Sequence, residues 1–154
     1  MAPAMGANGI NDSLKNEAPP KDYKIKRDIY ERIIAYCEKA LPNEACGLLS
    51  EVGSVGSSIW PIKNESLNRN RFFMSVDAIK RAFYKMEEKG EHLSAIFHSH
   101  PSTPPIPSSY DIKNNPYRSL AYIIVSFYKG KADMACFKMD GKTIAPMKII
   151  IIDD

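Results

Sequence analysis

The segment LSAIFHSHPSTPPIPSSYD, residues 93–111, constrains this chain more than any other. Its first half, Leu93 to His100, is a short apolar run that reads as a buried strand. The strand stops at Pro101, which has no amide hydrogen to give to a sheet ladder. Successive strand side chains point to opposite faces, so His98 and His100 point the same way at the strand's end. The connector PSTPPIP is stiff, because each proline fixes its own φ and restricts the residue before it. It can therefore hold the next segment in one place relative to the strand. That segment opens with Ser108-x-x-Asp111, the spacing of a helix start with Ser108 as cap and Asp111 in the first turn.

Two readings of these residues stand side by side. In one, the histidines are polar surface or a hydrogen-bonded core pair, and Ser108 and Asp111 only begin a helix. In the other, the Asp111 carboxylate turns toward the two imidazoles. Two neutral imidazoles and a carboxylate suit Zn²⁺ and leave its fourth tetrahedral position open, which marks a catalytic site. The chain has 154 residues, 44% hydrophobic and 25% charged, enough to bury a core without a metal to hold it. A metal here would serve chemistry.

The surrounding pattern is mixed. KRDIYERIIAYCEKALP places Ile29, Ile33, Tyr36, Cys37 and Ala40 on one face of a helix that ends at Pro42. ACGLLSEV reads as a strand that turns at GSVGSS into SIWPIKN, which Pro61 marks as a candidate edge onto which an extended peptide could add. SVDAIKRAFYKMEEKG is a second helix with Ser75 as N-cap and Gly90 at its end. LAYIIVSFYKG, ADMACFKMDG and KTIAPMKIIIID read as three closing strands, the last two joined at Asp140-Gly141. A flexible tail over residues 1–23 and a single domain over 24–154 are expected, with helices packed on a mixed sheet.

Composition removes several function classes. The net charge of +3 is spread along the chain with no dense basic block, so nucleic acid is not an expected partner. Cys37, Cys46 and Cys136 are odd in number and far apart, which fits neither a disulfide framework nor a cysteine-caged zinc. Reduced thiols place the protein in the cytoplasm. No apolar run is long enough to span a membrane, and the N-terminus lacks the apolar core of a signal peptide.

HSHPSTPPIPSSYD resembles the motif of the JAMM (MPN+) zinc metalloprotease family: His-x-His, seven residues, Ser, two residues, Asp, with a Glu well upstream. PNEACGLLS is similar to the Pro-x-Glu-x-x-Gly-x-Leu segment of small bacterial members, which makes Glu44 the upstream residue. SLNRNRFFMSVDAI, around Arg71 and Phe72, resembles their connecting region. The likeness runs from about Ile25 to Met139.

The resemblance implies an α/β fold: a single-domain three-layer αβα arrangement of the cytidine-deaminase-like kind, its mixed sheet mainly antiparallel. It implies one Zn²⁺ per chain held by His98, His100 and Asp111, with Glu44 as general base and Ser108 as oxyanion donor. The implied reaction is hydrolysis of a peptide or isopeptide bond by Glu-assisted attack of a zinc-bound water. The implied substrate is the C-terminal diglycine tail of a ubiquitin-like protein or of a sulfur carrier of the ThiS/MoaD kind. The chain has no room for the long insertions of eukaryotic deubiquitinases, which tilts the expectation to a bacterial sulfur carrier. A non-catalytic MPN scaffold, a RadC-like protein and a thiol enzyme built on Cys46 with His98 as base are the alternatives. A deaminase is disfavoured, since H-x-E and P-C-x-x-C are both absent.

Overall fold

The computed structural model describes residues 22–141 and 143–153. Seven strands and two main helices follow one another as β1 (Asp22–Lys26), α1 (Arg27–Ala40), β2 (Cys46–Val52), β3 (Val55–Ile62), α2 (Val76–Glu88) and β4 (His92–His100). The short helix α3 (Ser109–Asn114) leads into β5 (Ala121–Ser126), β6 (Asp133–Met139) and β7 (Ile144–Ile152).

The helices form where apolar residues recur at helical spacing. On α1, Ile29, Ile33 and Cys37 are buried and fall on one stripe. Burying a side chain such as Ile33 contributes roughly 1.5–3 kcal/mol, and truncating it to Ala costs roughly 2–5 kcal/mol. On α2 the stripe is Ile79, Ala82 and Met86, and the Ser75 side chain caps the helix by accepting from the Ala78 amide.

Antiparallel pairs join β2 to β3, β2 to β4, β5 to β6 and β6 to β7, while β4 and β5 run parallel. The sheet is thus mixed and mainly antiparallel. Helix α1 packs against one set of alternating strand residues, including Leu49, Ala95, Phe97, Ile123 and Val125. Helix α2 packs against the other set, including Leu48, Ile96, Tyr122 and Ile124. Gly47 lies between Pro61 and Phe97 in the β2 register. A Cβ there would stand 2.6 Å from the Phe97 ring and from the Trp60 carbonyl, which is why this strand position is a glycine.

The sheet does not stay open as a flat middle layer. Strand β1 pairs in parallel with both β7 and β3 and closes it. Tyr23 and Ile25 point inward and Asp22 and Lys24 outward, so Asp22 and Tyr23, inside the stretch expected as tail, belong to strand β1. The rest of that stretch, residues 1–21, lies outside the described residues. The edge expected at SIWPIKN is partly realised: β1 meets β3 only at Val55 and Gly56, while Ser58 to Ile62 pair with β2. No helix among the described residues is long and apolar enough to cross a membrane.

Candidate metal centre

Strand alternation does what the spacing predicts. His98 and His100 share a face at the end of β4, both buried, with Nε2 atoms 3.1 Å apart. The proline connector returns the chain so that Asp111 joins them. Its Oδ1 lies 3.4 Å from His98 Nε2 and its Oδ2 3.3 Å from His100 Nε2. The connector is itself fastened, because Ser126 Oγ donates to the Thr103 carbonyl at 2.6 Å.

The capping reading of α3 holds, and the same carboxylate faces the two imidazoles. Ser108 Oγ accepts from the Asp111 amide at 3.0 Å, and Asp111 Oδ2 accepts from the Ser108 amide at 2.9 Å. This capping box orients the carboxylate whose oxygens also face the imidazoles. Ser108 is exposed at the rim of the cluster.

The donor chemistry decides whether a cation fits. His100 Nδ1 lies 2.9 Å from the Pro104 carbonyl. A carbonyl only accepts, so Nδ1 carries the proton and Nε2 of the neutral ring presents a lone pair. Two imidazole nitrogens and a carboxylate thus converge on one point, a donor set that can hold a cation. Tetrahedral donors about 2.0–2.1 Å from Zn²⁺ are separated by about 3.3–3.4 Å, close to the spacings found. These residues fit zinc.

His98 Nδ1 has no hydrogen-bond partner among the described residues. Its ring is held by packing instead: Phe72 stacks on it at 4.5 Å between centroids, and Tyr122 meets it edge-on at 5.3 Å. Phe72 and Tyr122 also line a cavity of about 470 Å³ with Ile79, Ile96, Tyr110 and Asp111. The His98, His100 and Asp111 cluster therefore borders an apolar recess.

Titration directions follow from burial and from this clustering. Burial lowers His98, with Asp111 opposing. Burial also pulls His100 down, but hydrogen bonds to Asp111 and Pro104 leave it raised. Burial would raise Asp111, yet the two histidines and the Ser108 amide hold it well below the usual carboxylate range. The carboxylate is ionised, as a ligand must be.

Glu44 comes to the same place through sheet register. Cys46 pairs with His98 across β2 and β4, and the Ser99 amide donates to the Ala45 carbonyl at 3.0 Å, which sets Glu44 across from His100. Glu44 is 8% exposed. Burial pushes its carboxyl up to about 7, with His100 lowering it and Asp111 raising it.

Cys46 behaves as a core residue. It is fully buried, its thiol donates to the Ile62 carbonyl at 3.4 Å, and burial pushes it up to about 12. A thiolate nucleophile has no support at that position. Sequence reasoning gave no role to Ser99, whose hydroxyl accepts from the Ala45 amide at 2.8 Å, or to the Pro104 carbonyl. A hydroxyl residue between two histidines in an apolar strand was the only signal for the first. The second had none.

The chain is similar to known proteins over most of its length. Residues 26–139 match the family described as prokaryotic homologs of the JAB domain. The CysO-cysteine peptidase of Mycobacterium tuberculosis is 27% identical over 104 residues, covering 66% of this chain and 71% of the relative. A solution structure of a Desulfitobacterium hafniense protein, 29% identical, superposes with a TM-score of 0.77 over 85% of this chain and 93% of that one. A structure described as a metalloprotease-like zinc site in the proteasome and signalosome is 19% identical, with a TM-score of 0.52 over 83% and 97% of the two chains.

Proposed function

The chain belongs to the prokaryotic homologs of the JAB domain, and from that premise we propose that it is a zinc-dependent peptidase. Its substrate is the C-terminal diglycine tail of a sulfur-carrier or ubiquitin-like protein, cut at a peptide or isopeptide bond. One observation carries the reading: His98, His100 and Asp111 bring three lone-pair donors within 3.1–3.4 Å of one another, with the buried carboxyl of Glu44 across the sheet from His100. The sulfur-carrier substrate is supported by the likeness to the CysO-cysteine peptidase.

A Zn²⁺ ion held by His98 Nε2, His100 Nε2 and an Asp111 oxygen supplies water acidification and carbonyl polarisation. Glu44 takes the proton of the attacking water on its carboxylate and passes it to the departing amine nitrogen. A carboxyl raised to about 7 is matched to both halves of that transfer near neutral pH. Ser108 Oγ accepts from the Asp111 amide, which leaves its own hydrogen free to be donated to the carbonyl oxygen where charge develops. The Pro104 carbonyl keeps His100 in the tautomer that frees Nε2. Phe72 and Tyr122 exclude bulk water from the His98 side. Three free cysteines fit work in the cytoplasm.

The test is direct. Zinc-loaded protein is incubated with sulfur carriers bearing residues after the diglycine, and the products are weighed. Release of the extension supports the reading. Intact carriers and ubiquitin-like conjugates with stoichiometric zinc would favour the scaffold alternative.

A further inference from the structure

Asn64, just beyond β3, uses the whole hydrogen-bonding capacity of its amide. Nδ2 donates to the carbonyls of Glu44 and Arg71, both at 3.0 Å, and Oδ1 accepts from the amides of Ser66 and Phe73, both at 2.9 Å. Two donors and two acceptor sites are all that a carboxamide has. Asp at this position could only accept, and Gln would carry the same amide one methylene too far.

The partners of Asn64 are not scattered. The Glu44 carbonyl belongs to the same peptide group as the Ala45 amide, and that amide donates to Ser99 Oγ at 2.8 Å. One peptide plane is thus held at its oxygen by Asn64 and at its nitrogen by the residue between the two histidines. Arg71 and Phe73 flank Phe72, the ring stacked on His98. Arg71 also sets its guanidinium 4.1 Å above the ring of Tyr110, next to Asp111. A second tie, from the Glu65 amide to the Phe73 carbonyl at 2.9 Å, closes the 64–73 segment on itself.

We infer that Asn64 is a positioning residue for the reaction: it clamps the Glu44–Ala45 peptide from the side opposite Ser99 and straps the Phe72 segment across the metal centre. A carboxylate that must meet both an attacking water and a leaving amine tolerates little displacement, since misplacement near 1 Å costs about a hundredfold in rate. The catalytic consequence rests on Glu44 being the base, while the clamp itself does not.

The experiment uses the full chain loaded with one zinc, in the variants Asn64→Asp and Asn64→Ala. Asn64→Asp keeps an acceptor for Ser66 and Phe73 but loses both donations, so it carries the test if Asn64→Ala does not fold. Zinc stoichiometry, and the absorption spectrum of the Co²⁺-substituted protein, should match those of the unaltered chain, because none of the three metal-binding side chains touches Asn64. Hydrogen exchange at the Ala45 amide should speed up at least tenfold. Turnover of a sulfur carrier bearing one cysteine after its diglycine should show kcat at least tenfold lower, with KM within about twofold. Placed in a Glu44→Gln background, Asn64→Asp should lower kcat no further, because it acts through the missing carboxylate.

Unchanged exchange at Ala45 overturns the clamp. An equal loss of kcat with and without the Glu44 carboxylate overturns its action through Glu44. Full turnover by Glu44→Gln, or no cleavage by the unaltered chain, would count against the proposed function instead, and exchange at Ala45 still decides the clamp.

Discussion

Ala45 and Ser99 exchange two hydrogen bonds: the Ala45 amide donates to Ser99 Oγ at 2.8 Å, and the Ser99 amide donates to the Ala45 carbonyl at 3.0 Å. The residue before one is Glu44, and the residues on either side of the other are His98 and His100. This pair fastens the acid to the histidines. Ser99→Ala leaves the buried Ala45 amide without its acceptor, at a cost of about 1–3 kcal/mol. Denaturant unfolding should show that loss while zinc content stays at one per chain.

Glu44 sets the expected pH behaviour. Without a metal its carboxyl is raised from 4.5 to about 7; the proposed base must be ionised and a bound dication favours that form, so kcat/KM should rise with pH up to a midpoint no higher than about 7. The stability effect has the opposite sign. The fold holds this proton more tightly than the unfolded chain does, so the contribution is complete below about pH 4.5 and is lost as pH rises through 7. In metal-free protein, Glu44→Gln should therefore gain stability relative to the unaltered chain between pH 4.5 and 8, by at most about 3 kcal/mol. Paired unfolding curves at the two pH values check this. Turnover in the same variant should fall at least a hundredfold with zinc retained.

Metal affinity should depend on all three donors. His98→Ala and Asp111→Ala should each drop zinc content well below one per chain by elemental analysis. A chelator should lower the Tm of the unaltered chain and leave that of either variant nearly unmoved, since only a folded state that binds metal gains from it. Stoichiometric zinc in either variant would remove that residue from the site.

Ser108 caps α3 and is the proposed oxyanion donor, and the two roles separate in one variant. Ser108→Ala loses the acceptor for the Asp111 amide, which costs about 0.5–2 kcal/mol of stability. It also loses the hydroxyl proposed to meet the reacting carbonyl, for which kcat should fall about 10²–10³-fold. Stability restored by a general stabilising agent, with kcat still low, would confirm the second role.

Cys46→Ala should keep its activity. The thiol is buried and its ionisation is pushed up to about 12, so alkylating reagents should not inhibit, whereas a chelator should. The cost is lost packing and the weak thiol hydrogen bond to the Ile62 carbonyl, about 1 kcal/mol, read from unfolding midpoints.

What the sequence by itself determined is local. A two-residue period put His98 and His100 on one face, a Ser-x-x-Asp spacing formed the capping box at Ser108 and Asp111, and helical spacing found α1 and α2 with their buried stripes. Each of these depends on residues within a turn or a pleat of one another, where backbone geometry alone dictates direction. Tertiary structure decided the rest. Glu44 lies across the sheet from His100 because β2 lies beside β4 in one register, joining residues 54 apart in sequence. A shift by one residue would turn that carboxyl to the other face. Strand β1 was hidden for the same reason: five residues with only Tyr23 and Ile25 turned inward mean little until β3 and β7 stand on either side to pair with them. The Pro104 carbonyl and the Asn64 amide carry no pattern at all. Their value arises from where the folded chain sets them, next to His100 and to Glu44.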